Sequence, residues 1–320
     1  MPETARVERK DVVEAAERTA GNVLRTPLME TMIRGHRLWL KCECLQTGGA
    51  FKLRGATNRL LLLSPEESSR GVVAFSSGNH AQGVAIAARR LGIAATIVMP
   101  ADGPRIKIES TRAQGAEIVF FDRARDSREA IAASIAATSG ATVVPSFDDP
   151  HIVAGQGSAG IEIGEQMAEL GREPSRIVIP TGGGGLASGI ALACPGAGIF
   201  CVEPEGWDDM GRSLAAGEII PVGANPPPTL CDALQTPRVS PITLAILRER
   251  GAGAVAVSDA EVGEAMRFAW REHQLTVEPG GAAALAALLA GKVEIVEGTV
   301  AVISGGNVDP ELHARIIAGD

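Results

Sequence analysis

Four short segments of this chain concentrate residue types that could do chemistry. Lys52 stands in TGGAFKLRGATN, behind two glycines that let the backbone pass close to a ligand. Its amine has two readings. It is either a solvated cation in a helix's first turn, mildly disfavoured by the helix dipole, or an amine of lowered pKa, ready to form a Schiff base or take a proton. Ser76-Ser77-Gly78-Asn79-His80 offers hydroxyls, an amide and free N–H groups at another helix start, a cradle suited to a carboxylate. Capping needs one serine, so the surplus of polar groups favours a site, although His80 could equally be a structural hydrogen-bonding group. Gly182-Gly183-Gly184-Gly185 opens the helical stretch LASGIALA, where backbone N–H groups and the helix dipole bind phosphate. With no Lys-Ser/Thr after it and no dinucleotide spacing, the run is neither a P-loop nor a dinucleotide fingerprint. Ser304-Gly305-Gly306-Asn307 forms a fourth polar turn after TVAVI. Glu203, Glu205, Asp208 and Asp209 are either hard oxygen ligands for magnesium or calcium, or a solvated acidic loop.

Each turn must be held by the elements that flank it. Apolar runs RLWLKCE, GVVAFS, ATIVMP, EIVFF, ATVVP, RIVIPT, GIFCVEP, GAVAVS and TVAVIS read as strands. They alternate with helical patterns such as DVVEAAERTA, SREAIAASIAATS, GIEIGEQMAEL, DAEVGEAMRFAWREH and GGAAALAALLAG. The alternation predicts an α/β fold of open, mostly parallel sheets flanked by helices on both faces. In such sheets ligands bind at the carboxyl ends of the strands, where the four turns fall. The strand-helix set from residue 62 to 149 reads as a small domain inserted into a large one formed by 1–61 and 150–320.

Composition narrows the function classes. The 320 residues are 45% hydrophobic, enough for a substantial core, and 30 basic against 38 acidic residues give a net charge of −8. No basic block marks a nucleic-acid or anionic-membrane surface, so a small molecule is the expected partner. The N-terminal segment lacks the layout of a secretory signal, and no run of about 20 apolar residues could span a bilayer. Five cysteines without zinc-type spacing fit a reducing cytoplasmic setting.

Six motifs, TGGAFKLRGATN, SSGNHAQGVA, FDDPHIVAGQGSAGIEI, TGGGGLASG, VEPEGWDD and ISGGNVD, make the chain closely resemble the fold-type II pyridoxal phosphate enzymes, in particular the short threonine/serine dehydratases and serine racemases. The resemblance covers almost the whole length and implies pyridoxal 5'-phosphate as cofactor, a homodimer, and a fold like the tryptophan synthase β chain. It implies that Lys52 is the Schiff-base lysine, with Phe51 packing on the cofactor ring and Asn79 donating to the ring's phenolic oxygen. Gly182, Gly183, Gly184, Gly185 and Leu186 would hold the phosphate, and Ser304 the pyridine nitrogen. Ser76, Ser77, Asn79 and His80 would surround the substrate, with Ser77 also able to reprotonate Cα from the face opposite Lys52. Glu203, Asp209 and the Trp207 carbonyl match a divalent-cation site, for magnesium or a similar ion. Arg128 matches an arginine near the substrate entrance of racemases; it would pair with a second carboxylate, or it is an ordinary helix-surface arginine. Ala50 departs from the family's usual serine before the Phe-Lys pair, removing a hydroxyl near the cofactor.

The activity so implied is β-elimination from L-threonine or L-serine to a 2-oxo acid and ammonia. The alternatives are 3-hydroxyaspartate ammonia-lyase, serine racemase and, from a different class, a non-catalytic pyridoxal phosphate-binding protein.

Overall fold

The computed structural model describes residues 6–319 except Ser77, Pro104, Arg123 and Ala124, with the side chains of residues 105–107 outside the description. The first elements are α1 (Arg9–Thr19), the hairpin β1 (Leu28–Ile33) and β2 (His36–Lys41), and helices α2 (Lys52–Leu61) and α3 (Pro65–Arg70). An alternating run follows: β3 (Val72–Phe75), α4 (Asn79–Leu91), β4 (Ala95–Pro100), α5 (Arg105–Ala113), β5 (Glu117–Phe121), α6 (Arg128–Ser139) and β6 (Thr142–Val143). Then come α7 (Pro150–Glu169), β7 (Arg176–Pro180), α8 (Gly185–Ala193), β8 (Gly198–Pro204), α9 (Asp209–Ala216) and α10 (Pro241–Glu249). The last are β9 (Gly253–Val257), α11 (Asp259–His273), α12 (Pro279–Leu289), β10 (Thr299–Val302) and α13 (Pro310–Ala318).

Two sheets result. The larger has the order β1-β2-β10-β7-β8-β9, and the smaller β5-β4-β3-β6. All pairings are parallel except β1 with β2. Strand β1 was not among the sequence expectations: LMETMI mixes polar and apolar residues, and its pairing is set by the turn at Arg34 and Gly35. Both have positive φ, 49° and 79°, the geometry of a two-residue hairpin turn. Strand β6 shrinks from the expected ATVVP to two residues at the edge of the smaller sheet.

Helices cover both faces of the sheets, which is why the inner strands are apolar throughout. One core of the larger sheet packs under α11 and α12, and the other under α1, α7, α8 and α10. Helix α2 lies between α4 and α7 and so bridges the two sheets. A buried charge network fixes it. Arg54 makes a two-pronged pair with Glu43 (2.7 and 2.8 Å) and another with Glu162 of α7 (2.7 and 2.8 Å). Lys41 completes the set, donating to Glu162 (2.6 Å), Gln166 (2.9 Å) and the Thr26 carbonyl (2.8 Å). Two cations and two carboxylates balance, so the network carries no net charge into the interior. Among the described residues no helix is long and apolar enough to cross a membrane.

Candidate active site

The carboxyl ends of parallel strands from both sheets converge on one cavity of about 610 Å³. Ser76 follows β3, Pro145 and Ser146 follow β6, Thr181 follows β7 and Ser304 follows β10, and all line it. This is where open α/β sheets bind ligands.

Lys52 opens α2 and projects into this cavity. Its Nζ donates to the Ser146 carbonyl (2.9 Å) and sits 5.2 Å from the centre of the Phe51 ring. Burial pushes its pKa down to about 8, since no carboxylate offsets the loss of water. The amine thus lies inside the cavity, hydrogen-bonded to backbone, and not out in solvent on the surface of the helix.

The glycine run crosses the cavity floor into α8. Gly184 has φ +86°, a conformation that a side chain would strain, and a Cβ there would crowd Met210 and Thr243. A Cβ on Gly183 would collide with the Phe147 ring, which lies against the loop. Thr243 Oγ1 donates to the Gly183 carbonyl (2.8 Å), tying α10 to the run. The run leads straight into the start of α8, where backbone N–H groups and the helix dipole favour an anion.

Asn79 is held from across the cleft. Its side chain donates to Glu278, which precedes α12, and accepts from Asn307 Nδ2 (2.8 Å), which also reaches the Gly48 carbonyl (2.7 Å). Ser304 is buried, its backbone bonded to Phe51 N–H (3.2 Å) and to the Gly281 carbonyl (3.3 Å). Glu278 had no local sequence signal, and Asn307 stood in a quoted turn without a role. Only contacts between residues more than two hundred positions apart, or nearly so, bring both to Asn79.

His80 is at the cavity wall, but its Nε2–H is given to the Val144 carbonyl (2.9 Å). Burial, and the Lys52 charge beside it, push its pKa down to about 3, so the ring is neutral and its buried Nδ1, without a partner among the described residues, is an acceptor. That nitrogen can take a hydrogen from an ammonium or hydroxyl and cannot donate to a carboxylate. Ser76 accepts the Gly78 N–H (3.2 Å); Ser77 lies outside the described residues.

Arg128 lines the cavity from the start of α6, paired with Glu129 (2.9 Å) and stacked over Phe75 (5.6 Å). Glu203 and Asp209 lie outside the cavity lining, around the start of α9. The Glu203 carboxylate accepts the Met210 and Gly211 N–H groups (2.8 Å each). Burial pushes Glu203 up to about 8 and Asp209 up to about 6. Both oxygens of Asp209 are buried without a partner among the described residues. Trp207 donates its ring N–H to the Pro227 carbonyl (2.9 Å). Among the described residues no group of three or more His, Cys, Asp or Glu side chains is placed to hold a metal.

Comparison with known proteins gives a consistent picture. Residues 20–306 match the family model described as pyridoxal-phosphate dependent enzyme. The chain is 42% identical to an L-threo-3-hydroxyaspartate ammonia-lyase of Pseudomonas sp, over 97% of this chain and 98% of the relative. It is similar to the crystal structure of a threonine deaminase from T.th., with a TM-score of 0.87 and 41% identity over 94% and 98% of the two chains. Maize serine racemase superposes with a TM-score of 0.90 at 34% identity, over 98% and 97%.

Proposed function

The chain belongs to the pyridoxal-phosphate dependent enzymes, and we propose that it is an ammonia-lyase converting a small 3-hydroxy amino acid to a 2-oxo acid and ammonia. The observation that carries this reading is Lys52, a half-buried amine without a carboxylate partner among the described residues, facing a glycine-lined helix start across one cavity. The residues fit the cofactor. An amine of lowered pKa suits its aldehyde, the cradle at Gly182 to Gly185 and Leu186 suits its phosphate, and the neutral hydroxyl of Ser304 suits its ring nitrogen. Phe51 would pack on the ring, and Asn79 would meet its phenolic oxygen.

When bound, the cofactor supplies an electron sink for the pair left behind at Cα. Lys52, neutral once released, takes the Cα proton. Its hydrogen bond to the Ser146 carbonyl holds the amine in place. The bare Nδ1 of His80 orients the substrate by accepting from its ammonium or hydroxyl, and Ser76 and Ser77 take the α-carboxylate. Loss of the β-hydroxyl as water, followed by addition of water to the released enamine, balances to a 2-oxo acid and ammonia.

L-Threonine, L-serine and 3-hydroxyaspartate all fit the reaction. Racemisation is the second reading, with Ser77 proposed as the acid that returns a proton to Cα, and it is supported by the likeness to maize serine racemase. A divalent cation such as magnesium is proposed at Glu203, Asp209 and the Trp207 carbonyl, supported by the burial of both carboxylates and by the two Asp209 oxygens without a partner among the described residues. The division into a small domain, 62–149, inserted in a large one is supported by the two separate sheets. A homodimer rests on the family resemblance, and a cytoplasmic location is supported by five free, buried cysteines.

The test is ammonia release by the cofactor-loaded protein from L-threonine, L-serine and the threo and erythro isomers of 3-hydroxyaspartate, with chiral analysis of the remaining serine. Release that disappears in Lys52→Ala is expected. Full activity in that variant would overturn the chemistry, and D-serine formed without ammonia would move the reading to racemisation.

A further inference from the structure

The cavity wall carries two arginines on opposite sides of the cleft. Arg128 comes from the smaller-sheet side and is already occupied by Glu129 and the Phe75 ring. Arg238 comes from the larger-sheet side, lines the same cavity, is exposed to it, and has no carboxylate or carbonyl partner among the described residues. The segment that bears it is anchored at several points. The Pro237 carbonyl accepts the Val222 N–H (2.9 Å), Val239 is buried, and Ser240 caps α10. Pro237 fixes its own φ just before the arginine. One residue further back, the Thr236 hydroxyl lies against Gly182, so the segment borders the phosphate cradle. A guanidinium presented from a fixed backbone into a partly closed cavity, with its fork unused, is built to receive a carboxylate in two-pronged fashion.

We infer that Arg238 selects the substrate, binding a second carboxylate on Cβ, so that the site prefers a dicarboxylic 3-hydroxy amino acid over L-threonine or L-serine. This rests on the ammonia-lyase reading above. Arg238 is a specificity-determining residue for the side chain, while the α-carboxylate and amine are met elsewhere. A methyl or hydrogen at the same position leaves the guanidinium to water and gains nothing from it. Asp148, also on the cavity wall, is the counter-argument, because a dominant carboxylate there would favour a cationic side chain.

The experiment compares kcat/KM of the holoenzyme for L-threo-3-hydroxyaspartate, L-threonine and L-2,3-diaminopropionate in the native protein, Arg238→Gln, Arg238→Lys and Arg128→Gln. Succinate and butyrate binding to each holoenzyme is followed by calorimetry. The native protein is expected to prefer the hydroxyaspartate. Arg238→Gln is expected to lower the hydroxyaspartate-to-threonine ratio by about 10- to 100-fold, the loss of a charge-assisted hydrogen-bond pair. Succinate affinity falls in parallel, and Arg238→Lys recovers part of both. An unchanged ratio in Arg238→Gln overturns the inference, as does a ratio that collapses only in Arg128→Gln. A native preference for L-threonine or the diamine also overturns it. Absence of ammonia from every substrate would instead sink the ammonia-lyase reading, and Arg238-dependent succinate binding would still decide whether the carboxylate site exists.

Discussion

Lys52 and His80 stand side by side and are pushed the same way, toward their uncharged forms, by the same burial. For Lys52 the folded value of about 8 lies below the ordinary 10.5. Between those limits the unfolded chain binds more protons than the folded one, so folding stability of the cofactor-free protein rises as pH climbs from about 8 to 10.5. Denaturant titrations at several pH values should show this slope in the native protein and lose it in Lys52→Met. With its pKa lowered to about 3, His80 should not titrate near neutrality. Its ring resonances should stay flat from pH 8 down to pH 5 in an NMR titration; a midpoint near 6.5 would contradict the burial argument. Most of these residues were legible because their types are unusual in context: a lysine behind glycines, four glycines in a row, paired serines before an amide. Glu278 was not, since a lone acid ahead of Pro-Gly-Gly reads as a loop until Asn79 is brought to it. Nor could sequence show that His80 has already spent its one N–H on Val144.

Among elements, α2 is the one whose placement decides the site, because Lys52 begins it and Arg54, two residues on, anchors it. Replacing Arg54 with Met strips Glu43 of its ion-pair partner and leaves Lys41 as the one cation of the network against two carboxylates, and costs about 3–5 kcal/mol of stability. Urea unfolding should register that loss, and the charge-conserving Arg54→Lys should recover only part of it because one ammonium cannot serve both forks. Helix α8 depends on its entry. Gly184→Ala forces a side chain into a left-handed conformation against Met210, at a cost of roughly 1 kcal/mol or more. Weaker pyridoxal phosphate binding, read from absorbance titration, should accompany it. The apolar runs that became β3, β4, β7, β8 and β10 were readable because strands covered on both faces carry little polar punctuation. Strand β1 escaped because it is an edge, exposed at Met32 and held by a turn whose first residue is arginine rather than the expected glycine or asparagine.

At the scale of the molecule, the two-sheet α/β plan was visible from alternation, while the strand order was not, because order is set by packing between segments far apart. The sheets are held together at the cleft by α2 and by the trio Asn79, Glu278 and Asn307, which joins α4 to the turns flanking α12 and β10. Removing one strut, in Asn307→Ala, should loosen the smaller sheet against the larger. Faster amide exchange at the start of α4, with little change in the centre of the larger sheet, is the expected result. Uniform exchange changes would mean that the trio only supports the site locally.

The order β1-β2-β10-β7-β8-β9 also has a consequence for how the protein is made. The smaller sheet draws all its strands from one contiguous stretch ending at Val143, so it can form early during synthesis. The larger sheet cannot close until β10 arrives to fill the gap between β2 and β7, roughly 160 residues later, or about 8–30 s at 5–20 residues per second. Until then β2 and β7 each present an unpaired edge, and neither Ser304 nor Asn307 yet exists to meet a cofactor. A nascent chain halted before β10 should therefore hold a folded small unit beside an open, chaperone-dependent one, and should be unable to capture pyridoxal phosphate.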